Sequence, residues 1–183
     1  MNKMKLQWMG VLVLACCGAA FAQGKSATEV LDASVKNVES EFVPAVEAMP
    51  EDKFDFAPTS GEFKGVRTFA MQAKHVAAVN YLIGSTMLGE KPPVELGGEN
   101  GPDSMKSKAD IVKFVKDSFA YAHKAVASIN DKNLVEETKS PFGEGKMTRL
   151  AMAEIFAWHG MDHYGQMVVY LRMNGIVPPA SRK

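Results

Sequence analysis

Trp158-His159-Gly160-Met161-Asp162-His163-Tyr164-Gly165-Gln166 lies inside a long C-terminal run with helical patterning, and its reading decides the fold. His159 and His163 are four residues apart, which on an α-helix is about 40° of rotation and about 6 Å of rise. Both imidazoles therefore leave one face, the geometry by which a helix offers two nitrogens to a divalent ion. The same spacing also fits two ordinary helix-face histidines, so the rest of the chain has to choose between the two. The run opens at Thr148 and stops at Asn174-Gly175, with Pro178-Pro179 beyond. His159, His163, Gln166 and Tyr170 share a stripe with Met152 and Phe156, which sets the imidazoles against a core rather than in open water. Buried imidazoles need a hydrogen-bond partner or a metal.

Working towards the N-terminus, three more helices are expected. Ser107-Lys108-Ala109-Asp110 caps one that runs to about Ile129 through Ile111, Phe114, Val115, Phe119 and Val126. Another spans about Val66 to Leu88, with Phe69, Val76, Val79, Leu82 and Ile83 on its apolar side. The first follows the capping box Ser26-Ala27-Thr28-Glu29, carries Leu31, Val35, Val38, Phe42 and Met49, and should kink at Pro44. Met49 to Gly65 reads as a connector and Gly89 to Asp103 as a crossover or surface loop. Leu134 to Lys146 forms either a short hairpin or a loop around Pro141-Phe142-Gly143. No segment has competing β alternation. The expected fold is all-α, a four-helix bundle with a long crossover, filling a single domain from residue 23 to 183.

Residues 1–22 read as an address. Lys3 and Lys5 precede an apolar run from Met9 to Phe21, and Ala20-Phe21-Ala22 has the small-x-small form of a secretory signal-peptide cleavage site. The run is shorter than the ~20 apolar residues of a membrane-spanning helix. Cleavage after Ala22 is the expected processing, giving a secreted or periplasmic protein. The alternative, a lipoprotein cut before Cys16, meets a poor fit at Leu14. Cleavage after Ala22 removes both cysteines, Cys16 and Cys17, and with them any disulfide, thiol nucleophile or thiolate ligand. No CxxCH is present, so covalent c-type haem is excluded. Removing Lys3 and Lys5 from 21 basic side chains leaves 19 against 21 acidic ones. That balance offers no footprint for nucleic acid or for an anionic membrane.

The second helix carries His75 among Met71, Ala78, Val79 and Leu82. If it packs beside the last helix, His75, His159 and His163 converge as three neutral ligands with a fourth position open, the arrangement of a catalytic rather than a closed structural site. An all-imidazole set suits Zn²⁺ or Ni²⁺, and with ordinary histidine pKa values its affinity should fall as pH drops through about 6. His123, near Lys124 and Ala127, reads as a surface or packing histidine. Gln166 could reach a ligand ring or a bound water, or face a neighbouring helix. Asp162 lies about 100° off the histidine stripe and reads as solvated. Tyr170 reads as core with its hydroxyl at the bundle end. Gly160 and Gly165 cost about 1 kcal/mol each against Ala in a helix, which points to close helix approach or substrate access. Trp158 and the methionines read as packing or interface.

At these residues the chain resembles the DinB-like (YfiT-like) superfamily of metalloenzymes. The resemblance covers the whole chain after the leader. It rests on a histidine in the second helix followed by a hydrophobic run to Leu88-Gly89, on Lys108-Ala109-Asp110, and on the terminal His-x-x-x-His-x-x-Gly-Gln helix running on to Asn174-Gly175. It implies a three-histidine metal site at His75, His159 and His163. The family often has His or Arg around the second terminal histidine, whereas Asp162 and Tyr164 flank His163 here. Relatives include thiol-dependent S-transferases and isomerases, so the resemblance implies a metal-dependent hydrolase or thiol-dependent transferase acting on an unidentified small molecule. Export would separate the protein from cytosolic thiols. The alternative is a non-catalytic metal-binding or stress-associated bundle. The resemblance also implies a homodimer formed by helix faces, and the first and third helices carry more apolar residues than one bundle seam requires.

Overall fold

The computed structural model describes residues 24–182; the expected leader and both cysteines fall outside the described residues. Four helices dominate: α1 (Ala27–Ala48), α2 (Phe69–Leu88), α3 (Lys108–Ala127) and α4 (Arg149–Met173). Each begins at a hydroxyl side chain that accepts an otherwise orphaned amide of the first turn. Ser26 and Glu29 form the reciprocal capping box of α1, and Thr68, Ser107 and Thr148 cap α2, α3 and α4. The Thr68 cap sets the start of α2 at Phe69 rather than Val66, and α3 ends at Ala127, two residues before Ile129. Helix α1 continues through Pro44 to Ala48. Between α3 and α4 the hairpin form is the one observed: β1 (Glu137–Lys139) pairs antiparallel with β2 (Lys146–Thr148), with Phe142 at its tip.

Cross-helix pairs give the directions. Thr28 at the start of α1 donates to the Ile129 carbonyl just past α3, and Lys108 at the start of α3 donates to the Glu47 carbonyl at the end of α1, so these helices are antiparallel. Asn80 meets Ser118 and Tyr81 meets Phe114, while Glu90 meets Lys124, so α2 and α3 run parallel. Gln72 pairs with His163, and Arg149 with the Met87 carbonyl, which makes α2 and α4 antiparallel. The order is thus up, down, down, up. Two parallel neighbours joined in sequence require a connection that returns along the whole bundle, and residues 89–107 are that long crossover.

One core, including Phe42, Phe69, Phe119, Phe156, Met152, Met167 and Leu171, fills the centre. Phe42 and Phe119 lie with ring centroids 5.9 Å apart across α1 and α3. Gly160 brings α4 against α1: a Cβ there would stand 2.6 Å from Val38 Cγ1. Close approach is thus the reason for one of the two glycines of α4, whereas at Gly165 an added Cβ would meet nothing within 4 Å. Among the described residues no helix is long and apolar enough to cross a membrane.

Candidate metal centre

Because α2 and α4 are adjacent and antiparallel, His75 on one faces His159 and His163 on the other. Their ring centroids lie 4.6 to 5.0 Å apart, and one nitrogen from each lies within 4.8 Å of the others. The structure brings together the three histidines that the sequence reading groups. His123 stands elsewhere, between α3 and α1, where its two nitrogens face Asp32 and Glu39 at 2.5 and 3.3 Å.

The hydrogen bonds around the cluster assign the tautomers of two of its three rings, His75 and His163. His75 Nδ1 meets the backbone carbonyl of Glu99, which can only accept, so Nδ1 carries the proton and Nε2 keeps its lone pair. The Asp162 carboxylate accepts from Gln166 Nε2 at 3.1 Å, and Gln166 Oε1 accepts from Gln72 Nε2 at 2.9 Å. Gln72 Oε1 in turn accepts from His163 Nδ1. Each amide in this chain is oriented by the one before it, and the chain ends with His163 Nε2 free to bind. Such outer partners are what orient metal-bound imidazoles. Gln166 therefore acts one residue removed from the ring, and Asp162, exposed as expected, anchors the chain.

His159 Nε2 lies 3.1 Å from His75 Nε2. Two nitrogens bound at about 2.0–2.1 Å to one tetrahedral ion lie about 3.3 Å apart, so this pair already has nearly the separation of shared ligands. Burial holds the rings neutral. Desolvation, reinforced by the neighbouring His163 and His75, pushes His159 down to about 3. Desolvation, with His75 and Arg67 nearby, pushes His163 down to about 4. Desolvation also lowers His75, outweighing its bond to Glu99. Neutral imidazole is the form that binds a cation, so donor type and protonation state, together with the tautomers of His75 and His163, fit a divalent transition ion.

Arg67, Gln72 and Glu99 complete the surroundings and were not legible as site residues in advance. Gln72 is buried one turn before His75. Arg67 donates to Asn100 Oδ1 at 3.0 Å and to the Glu99 carboxylate at 2.8 Å, and Tyr170 holds its backbone carbonyl at 3.1 Å. Glu99 reaches His75 because the crossover is clamped onto α2. Gly101, at φ +74°, sits where a Cβ would come within 2.5 Å of Lys74 Cβ, and Lys74 Nζ donates to the Pro102 carbonyl at 2.8 Å. The glycines of Gly97-Gly98-Glu99-Asn100-Gly101 were the available signal for this tight contact.

The profile of the DinB superfamily matches residues 35–167. A DinB-like protein from Bacillus cereus superposes with a TM-score of 0.65 at 19% identity, covering 82% of this chain and 95% of its own. A DinB-like protein from Bacillus subtilis gives 0.63 at 13% identity, covering 84% and 99%. A conserved protein from Enterococcus faecalis gives 0.64 at 13% identity, covering 82% and 98%. At these identities the likeness is one of fold. No curated protein matches the sequence. A sequence match across most of the chain, on the same bundle that brings the three histidines together, settles the family: this chain belongs to the DinB superfamily.

Proposed function

We propose that the protein is an exported metal-dependent enzyme whose His75, His159 and His163 hold one Zn²⁺ or Ni²⁺ ion through their Nε2 atoms. The observation that carries this reading is the fixing of tautomers: acceptors at Glu99 and Gln72 take the Nδ1 protons of His75 and His163, so the lone pairs face the gap between α2 and α4. Bound there, the ion supplies Lewis-acid chemistry with a position open to water or a small thiol, which favours hydrolysis or thiol transfer as the reaction class. The chain's own residues orient the rings, keep them unprotonated and hold Arg67 beside the centre. Export after Ala22 and assembly as a homodimer belong to the same reading. Intact-mass analysis from the native host should find a chain beginning at Gln23, and light scattering should find a dimer.

Elemental analysis of the purified protein tests the centre itself. One ion per chain is expected for wild type and for His123→Ala, and none for His75→Ala, His159→Ala or His163→Ala. Retention by His75→Ala together with loss in His123→Ala would reverse the assignment, and absence of metal from every variant would remove it.

A further inference from the structure

Two clefts meet at Glu99, the residue whose carbonyl holds His75. One is apolar: beyond His75 the outer face of α2 continues through Val79 and Leu82, with Leu96 of the crossover opposite and Phe142 of the hairpin tip above, enclosing about 430 Å³. A second cavity of the same volume begins at Leu82 and continues past Thr86 beneath the hairpin tip. From His75 to Leu82 the groove follows seven residues of helix, about 10 Å. Phe142, an aromatic ring 54% exposed, overhangs this groove. The other cleft is polar, also about 430 Å³, and is lined by Arg67, Gln72, Asn100 and Gln166.

The Arg67 side chain is 27% exposed, while the Glu99 carboxylate paired with it is 86% exposed. A surface ion pair of this kind contributes little, so a ligand carboxylate can take the place of Glu99 on the guanidinium. We infer that the centre serves an amphiphilic substrate, with an anionic head held beside Arg67 and a medium-length alkyl chain lying along Val79, Leu82 and Phe142. This inference rests on the metal-centre reading for where the head is delivered, and on the two clefts alone for what is bound. An apolar groove that starts at a ligand of the centre, and a cation on the centre's other side, select for a molecule having both parts.

The test is titration of the full-length mature protein with octanoate and with octan-1-ol, followed by ligand-observed NMR, with metal content measured on the same samples. Octanoate should bind saturably, and affinity should rise about fourfold per methylene from butanoate to octanoate. Phe142→Ala and Leu82→Asn should weaken both probes, by about tenfold for the buried contact at Leu82. Arg67→Gln should weaken octanoate by about tenfold and leave octan-1-ol unchanged. Octanoate binding that is absent, or indifferent to Phe142→Ala and Leu82→Asn, would overturn the inference even if the ion is bound. Octanoate binding with the expected variant pattern in a protein that holds no ion would leave the groove assignment standing and remove the metal reading instead.

Discussion

The molecule places imidazoles in two contrasting settings. His75, His159 and His163 sit between α2 and α4 with neutral acceptors on two of their Nδ1 atoms and Nε2 atoms turned inward. His123 sits between α3 and α1 with a carboxylate on each nitrogen. Asp32 and Glu39 occupy both of its nitrogens, so His123 serves as a tie between helices and stands apart from the other three rings. The contrast teaches that residue type does not make a ligand: a neutral acceptor behind one nitrogen frees the other, whereas an anion at each nitrogen closes the ring to metal.

Ligand removal should break this contrast most sharply. His159→Ala and His163→Ala should each lower Zn²⁺ or Ni²⁺ affinity by more than about a hundredfold in competition titrations, and His123→Ala by less than about twofold, because only the former lose a coordinating nitrogen. Equal losses in all three variants would dissolve the distinction.

The acceptors come next. Gln72→Leu keeps the shape of the α2 face but leaves the His163 Nδ1–H without its partner, and metal affinity should fall by about ten- to a hundredfold. Asp162→Ala removes only the far anchor of the chain and should cost a few-fold. Isothermal titration of both variants checks the order, and a larger effect at Asp162 would mean that the carboxylate acts on the centre directly.

Protons probe the same cluster. In the folded, metal-free protein His159 and His163 stay neutral down to about 3 and 4, while the unfolded chain takes up their protons near the ordinary value of about 6.5. The unfolded state therefore binds more protons in that interval, and stability is lost as pH falls from about 6.5 towards 4. Melting temperature of the metal-free protein should drop by several degrees over this range, and His159→Gln should flatten the slope. A slope unchanged by that variant would show that the ring is not buried as described. The same burial moves proton competition for the ion below the pH of about 6 expected from ordinary histidines.

The smallest effects concern the backbone beneath the ligands. Gly160→Ala presses on Val38 and should destabilise by about 1–3 kcal/mol, disturbing the neighbouring His159. Gly165→Ala meets open space and should stabilise by up to about 1 kcal/mol. Chemical denaturation of the pair measures both, and a destabilising Gly165→Ala would point to a contact made outside this chain.

Much of this was legible in the sequence because it is local. Hydroxyl caps, helical periodicity and the four-residue spacing of His159 and His163 each act within a turn or two, and they placed the four helices and two candidate ligands, whereas His75 joined them only on the condition that its helix packs beside the last one and through the family resemblance. What escaped was carried by contacts distant in sequence. Glu99 lies in a segment read as a crossover or surface loop, and the packing of Gly101 against Lys74 brings its carbonyl to His75. Gln72 carries no local signal, because its partner His163 is 91 residues away on α4. Phe142 was ambiguous between hairpin and loop because a two-stranded hairpin this short depends on the helices it rests on.

X-ray absorption at the metal edge of the purified wild-type protein would test the central claim most directly. The account predicts three imidazole nitrogens at about 2.0–2.1 Å and one further light donor, unchanged in His123→Ala. A shell with fewer than three imidazoles in wild type, or one that loses an imidazole in His123→Ala, would contradict it.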